Sequence, residues 1–207
     1  MNIGIIGTGN MAGALGKLWA ARGHRIFFGS RTPQKAKLLA QSVGENVEGG
    51  SCADAAEHAD VLLLAIPWEA VHDTLHAVGS LAGKIVIDCI NPVGPGYSVA
   101  VGHSTSAAEE IAKQAPGARV VKAFNSIHWA NLSRPDFAGT RSAMLYCGDD
   151  AVAKYVVAKL GEDLGFKSVD CGMLSGARLL EPLGILWMQI AFPQQRGTDF
   201  AFGLLER

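Results

Sequence analysis

Apolar residues fall along this chain in short continuous runs, separated by stretches in which they recur at helical spacing. Asn2 to Ile6 is such a run and stops at Gly7; Asn10 to Arg22 then carries apolar or small residues at helical spacing up to Gly23. His24 to Phe28 reads as the next strand, and Thr32-Pro33 opens a second helix containing Lys35, Leu38 and Leu39. A weak strand near Val47, a short helix around Ala53 to His58 and the buried run Asp60 to Ile66, ended by Pro67, continue the alternation. A helix over 68–78 and a strand over 84–89 lead to Asn91-Pro92-Val93-Gly94-Pro95-Gly96, whose breakers predict irregular structure. Beyond it the pattern predicts a helix over 106–114, a strand over 119–124, an irregular stretch over 125–139, a strand over 142–147, a helix over 149–164 and a strand over 166–170. Crossovers of this kind are almost always right-handed, so the fold class expected is α/β, with a doubly wound, mainly parallel sheet covered on both faces. Leu174 to Phe192 is apolar nearly all round and interrupted by Pro182 and Gly184, so it must be buried in the core or against a partner. The expected organisation is a nucleotide-binding unit over 1–170 and a C-terminal helical segment over 171–207 that completes the site and a dimer interface.

Composition narrows the function without naming it. Hydrophobic residues make up 49% of the 207 and charged residues 18%, and no apolar stretch approaches the roughly 18 residues of a membrane span, so a globule with a sizeable core is expected. Eighteen basic and nineteen acidic side chains leave a net charge of −1 with no block of one sign, which argues against a nucleic-acid surface or a polybasic membrane anchor. Cys52, Cys89, Cys147 and Cys171 lie far apart, with no CxxC pair and no Cys/His cluster at ligand spacing, so no metal site is expected and a reducing compartment is. Met1 runs into an apolar strand with neither a basic region nor a cleavage site, which predicts no signal peptide and a cytoplasmic protein.

Phosphate recognition must then be local, and Gly7-Thr8-Gly9-Asn10-Met11-Ala12 supplies it. This GxGxxA follows the first strand and opens a helix: its first glycine permits the tight turn, the second lets backbone approach a pyrophosphate, and the small third position lets helix and strand pack closely. The helix amino end favours the anion. This is the context of a Rossmann dinucleotide fold. An NAD enzyme would place Asp or Glu at the end of the second strand, but no acid stands between His24 and Gln34. Gly29-Ser30-Arg31-Thr32 and Lys35 offer two cations and two hydroxyls instead, which fits the 2′-phosphate of NADP.

Ligands of an open parallel sheet lie beyond the carboxyl ends of its strands. Ile66, Pro67 and Trp68, Asn91 to Val93, and Phe124 to His128 stand there. Ile66 and Pro67 would back a nicotinamide, while Asn91 and Asn125 would bond a carboxamide or ribose or else cap their loops. A proton donor is harder to find. Lys122 stands three residues before Asn125, but strand alternation leaves its reach into the site open; His128 and His103 sit in loops, where a histidine more often orients a substrate than shuttles protons. No residue is thus a firm acid or base, and Asn125 and His128 are the catalytic candidates. Hydride transfer between a nicotinamide and a flavin-like ring needs alignment rather than a protein nucleophile, which suits this set.

Gly7-Thr8-Gly9-Asn10-Met11, Gly29-Ser30-Arg31 with Lys35, Ala65-Ile66-Pro67, Ile90-Asn91-Pro92, Val121 to Asn125 and Gly172 to Leu183 resemble the coenzyme F420-dependent NADP reductases, a family that includes the oxidoreductase domain of the six-transmembrane metalloreductases. The resemblance covers essentially the whole chain. It implies NADP(H) as cofactor, with Thr8, Asn10 and Met11 at the pyrophosphate and Ser30, Arg31 and Lys35 at the 2′-phosphate. It implies F420 or FMN/FAD as the second substrate, lying near His128 and the Gly172 to Ser175 turn, and a homodimer that uses the terminal helix. Trp129 and the tail Pro193 to Arg207 match no family pattern and are expected to shape the acceptor site. The expected partner is a small-molecule hydride acceptor, with neither nucleic acid nor membrane. Two other readings stand beside this one: an NADPH-dependent imine or keto-acid reductase, and a non-catalytic NADP-binding redox sensor.

Overall fold

Each short apolar run in the first 170 residues forms a strand in the computed structural model, which describes residues 1–207. The first half runs β1 (Asn2–Ile6), α1 (Asn10–Ala20), β2 (Arg25–Gly29), α2 (Pro33–Val43), β3 (Val47–Gly50), α3 (Cys52–His58), β4 (Val61–Leu64), α4 (Val71–Val78) and β5 (Ile85–Asp88). A ribbon of β6 (Val93–Gly94) and β7 (Ser98–Val99) precedes α5 (Ala107–Gln114) and β8 (Arg119–Lys122). A second ribbon, β9 (Asp136–Phe137) and β10 (Thr140–Arg141), precedes β11 (Ala143–Gly148), α6 (Ala151–Glu162), β12 (Lys167–Asp170) and α7 (Ala177–Ala191).

Eight strands form one sheet in the order β12-β11-β8-β5-β4-β1-β2-β3. Every pair is parallel except β11 with β8. Strand order reverses between β1 and β4, so the crevice at a doubly wound sheet's switch point opens at their carboxyl ends. Successive residues point to opposite faces, and both faces are apolar: Ile5, Leu63, Ile87 and Val121 join a core with Trp19 and Phe28, while Ile6, Leu62, Val86 and Val120 join one with Leu75 and Leu180.

Three local expectations need correction. Asn91 to Gly96 is not wholly irregular, because Val93 and Gly94 pair with Val99 and Ser98 across a tight turn at Pro95–Tyr97. The breakers occupy that turn, and the residues beside them are free to pair. Pro182 and Gly184 do not interrupt the terminal segment either, since α7 runs through both. Pro182 has no N–H to give the carbonyl four residues back, but two side-chain anchors in the turn before it hold the helix there. Arg178 donates to Glu109 of α5 at 2.9 and 2.6 Å, and Glu181 is wholly buried. Lys122, weighed above as a catalytic lysine, is also wholly buried and points away from the crevice into an ionic cluster.

Candidate active site

The first loop is shaped by one obligatory glycine. Gly7 has φ +130°, and a Cβ there would stand 2.2 Å from the carbonyl oxygen of Ala65, so only glycine lets β1 turn into α1 beside β4. At Gly9, by contrast, a Cβ would meet no protein atom within 4 Å. The free space lies against the amino end of α1, where unpaired N–H groups face an incoming anion. Ala12, the small third position, is completely buried against β1.

Two hollows open from this loop. One, of about 210 Å³, follows the β1–α1 turn to the end of β2 and is lined by Gly7, Thr8, Gly29, Ser30 and Arg31. Ser30 Oγ accepts from the Thr32 N–H at 3.1 Å and so shapes the turn. Thr32 and Lys35 are exposed and stand outside the lining, so among the four polar residues picked out by sequence Ser30 and Arg31 face the groove directly. The other hollow, of about 390 Å³, lies over the ends of β4, β5 and β8 and takes in Asn10, Met11, Ile66, Pro67, Asn91 and Asn125. Gly9, Ala65, Ile66 and Pro67 belong to both.

Asn91 and Asn125 interlock. Asn91 Nδ2 donates to the backbone carbonyl of Asn125 at 2.7 Å, while Asn125 Nδ2 donates to Asn91 Oδ1 at 2.9 Å and to the Leu180 carbonyl of α7 at 2.7 Å. Both amides therefore hold loop and helix together, and Asn125 Oδ1 is left buried without a donor. The residue borders the cavity, while this oxygen is itself closed off from solvent. The preceding Phe124 takes a left-handed φ of +63° while buried between Trp19 and Phe166. That conformation is costly for an aromatic residue and is maintained by its packing; it turns the chain out of β8 and aims Asn125 beneath α7. Gly184 completes the fit, because a Cβ there would lie 2.7 Å from Asn91 Oδ1.

The far wall is aromatic. His128 stacks on Trp187 with ring centroids 5.3 Å apart, and Phe200 stacks on Trp187 at 4.8 Å. The tail is thus part of the site's support: Trp187 Nε1 donates to the Phe200 carbonyl, and Asn131 Nδ2 donates to the carbonyls of Thr198 and Phe200. Trp129 lies on the rim, 43% exposed. The turn at Gly172 to Ser175, expected beside the acceptor, instead packs beside β11, where Gly148 N–H donates to the Gly172 carbonyl. It contributes nothing to the cavity lining, and neither does the exposed His103.

Only two lining residues titrate, Cys89 and His128. Burial pushes the Cys89 thiol up to about 12, and the thiol donates to the Leu64 carbonyl. Burial also pulls His128 below the ordinary imidazole value. At neutral pH the cavity therefore presents uncharged walls and no thiolate, a setting for holding rings rather than for nucleophilic attack.

Behind that wall lies a feature the sequence reading did not assemble. Lys122 Nζ donates to Asp88 Oδ2 and to Glu181 Oε1, each at 2.8 Å, and to the Ile90 carbonyl, so all three of its protons are used. Asp88 Oδ1 accepts from the Ile90 N–H, and Glu181 accepts from the Ala107 and Ala108 N–H groups at the start of α5. Burial pulls the ammonium pKa down, but Asp88 and Glu181 beside it more than reverse that and hold it above the usual lysine value. Burial pushes Glu181 up, against the pull of Lys122 and the helix N–H groups. Three isolated charges on β5, β8 and α7 carry no spacing signal; only the run Asp88 to Asn91, turning sharply after a strand, hints at the cluster.

The family described as NADP oxidoreductase, coenzyme F420-dependent, matches residues 2–92. The F420-dependent NADP reductase of Methanothermobacter marburgensis is 32% identical over 201 residues, covering 88% of this chain and 89% of that protein. Metalloreductase STEAP3 of Rattus norvegicus is 32% identical over 187 residues, 89% of this chain, which spans only 37% of that longer protein. Among solved structures, a protein of Arthrobacter sp. FB24 provisionally described as an F420-dependent NADP-reductase superposes with a TM-score of 0.89 at 27% identity, covering 99% of both chains.

Proposed function

The chain belongs to the F420-dependent NADP reductase family of oxidoreductases, and on that premise we propose that it passes a hydride between NADPH and a tricyclic acceptor, coenzyme F420 or the flavins FMN and FAD. The observation that carries this reading is the cavity at the switch point. Its only titratable residues are uncharged at neutral pH, and it joins at Gly9 a groove that ends on Ser30 and Arg31. NADPH would supply the hydride, with its two electrons, from C4 of its dihydronicotinamide and leave as NADP⁺, and the chain's residues would place it.

The open space at Gly9 and the amino end of α1 suit the pyrophosphate, flanked by Thr8, Asn10 and Met11. Arg31 and Ser30 meet the 2′-phosphate, with Thr32 and Lys35 at the rim. Ile66 and Pro67 back the nicotinamide, and Asn125, in the cavity wall, flanks it. Asn91 keeps Asn125 in place. The acceptor ring then lies against His128, and the tail segment within 171–207 braces that wall from behind. Leu179 and Leu186, one heptad apart and exposed on α7, support a second copy of the chain packing there.

The test is anaerobic oxidation of NADPH by the purified protein with F420, FMN, FAD or no acceptor. Turnover with at least one tricyclic acceptor is expected; tight NADPH binding with no turnover in any arm sinks the proposal. Asn125→Ala should lower turnover about tenfold while changing the NADPH dissociation constant much less, since positioning at the reacting ring is what it removes.

A further inference from the structure

Gly9 borders a third hollow as well as the two already described. NADP as placed above fills the groove to Arg31 and part of the cavity over β4, β5 and β8. The third arm, of about 520 Å³, leaves the cavity at Asn10 and Trp129, which belong to both. It runs between α1, α2 and the segment 129–133, over an apolar floor that includes Leu18 and Leu39. Hydroxyls of Ser42 and Ser133 stand along it, and Lys17 is its one cation.

Lys17 is placed to receive something. Asn10, Ala14 and Lys17 share one face of α1, spaced four and three residues apart, so Lys17 stands on the order of 12 Å from Gly9 along the helix. It is exposed and joins none of the chain's ion pairs. At the mouth, the exposed indole of Trp129 offers a flat surface where ring cavity and arm meet.

We propose that this arm holds the polyol phosphate side chain of the hydride acceptor, with the tricyclic ring in the cavity beyond Trp129, the hydroxyls along Ser42 and Ser133, and the phosphate at Lys17. The inference rests on the hydride-transfer reading above and adds to it where the acceptor's tail goes. The arm fits this occupant in three respects: it starts where the ring ends, its lining combines apolar surface with the hydroxyls of Ser42 and Ser133, and it carries a single unpaired positive charge at Lys17. A ribityl phosphate is common to FMN and to coenzyme F420, and riboflavin has the hydroxyls without the phosphate.

The experiment is steady-state NADPH oxidation by wild type, Lys17→Ala, Lys17→Glu and Lys17→Arg, each with riboflavin, FMN and F420. Replacing Lys17 by Ala should raise the KM for FMN and F420 about tenfold, the loss of one charge-assisted contact, and Lys17→Glu should raise it further. Lys17→Arg should restore it. Riboflavin should show the same KM in all four proteins, and the NADPH KM should not move. Equal KM values for FMN and F420 in wild type and Lys17→Ala overturn the inference, as does a shift shared by riboflavin. A rise in the NADPH KM would assign the arm to the nucleotide instead. A shift for only one of the two phosphorylated acceptors identifies which tail the arm takes. Activity with all three acceptors that ignores Lys17 removes this inference and leaves the hydride-transfer reading standing, whereas no activity with any acceptor removes both.

Discussion

Two groups of charge sit within reach of the same crevice and are built in opposite ways. Lys122, Asp88 and Glu181 have 0–1% side-chain exposure, and every ammonium proton is bonded. Arg31 and Lys35 are exposed and have no acidic partner in the structure. The first group has already exchanged water for protein partners, so it ties β5, β8, α5 and α7 into one body and has nothing left for a ligand. The second keeps its hydration and its full bonding capacity, as the proposed contact with a 2′-phosphate requires. A charge's partner list, more than its place near a site, separates architecture from recognition here.

The largest expected effect breaks the first group. Lys122→Met leaves two carboxylates buried without their cation and should cost about 3–5 kcal/mol in urea denaturation, because a buried charge stripped of its partner bears the full desolvation penalty. A loss below about 1 kcal/mol would show that the cluster does not hold α7 to the sheet. Next in size, Arg31→Ala should raise the NADPH KM well over tenfold, since two or more charge-assisted bonds go with it, and should leave NADH use nearly unchanged. Equal effects on both cofactors would remove Arg31 from the 2′-phosphate. Stability of the folded chain should be almost indifferent to that change, which is the contrast in its sharpest form.

The smallest effect is a pH dependence. Burial holds His128 below its ordinary value of 6.5, so the unfolded chain takes up this proton first as pH falls. Stability contributed by neutral His128 is complete above about pH 6.5 and declines from there down to its lowered folded value. His24, lowered by burial and by the amino terminus, acts in the same direction. Melting temperatures measured between pH 7.5 and pH 5 should therefore fall less in His128→Phe than in the wild type; identical slopes would place the titration elsewhere.

Much of the fold could be read from the chain alone because its signals are local. A run such as Val61 to Leu64 must be an interior strand wherever it lies, and Gly7 can be replaced by nothing larger beside Ala65. The glycine turn between β1 and α1 is legible for the same reason, and the absence of an acid between His24 and Gln34 is what singles out Arg31 as the candidate for a 2′-phosphate. The place of Lys122 stays open in the sequence because strand alternation says which residues share a face and nothing about what covers that face. Its partners lie 34 residues back and 59 residues on, and a pairing over such distances leaves no period in the sequence. The Gly172 to Ser175 turn lies away from the expected acceptor site for a related reason: position along the chain does not say that β11 will hold it.

The sequence by itself determined the succession of strands and helices, the glycine turn after β1 and the presence of a cation-bearing turn after β2, since each depends on neighbours within a few residues, where backbone sterics and hydrophobic spacing act. Only the tertiary structure decided that Asn125 bonds Asn91 and Leu180, that His128 stacks on Trp187, that the tail braces that stack, and that three hollows meet at Gly9. Those relations depend on which distant segments are brought together, and packing in three dimensions makes that choice by burying apolar surface and satisfying every polar group it takes from water.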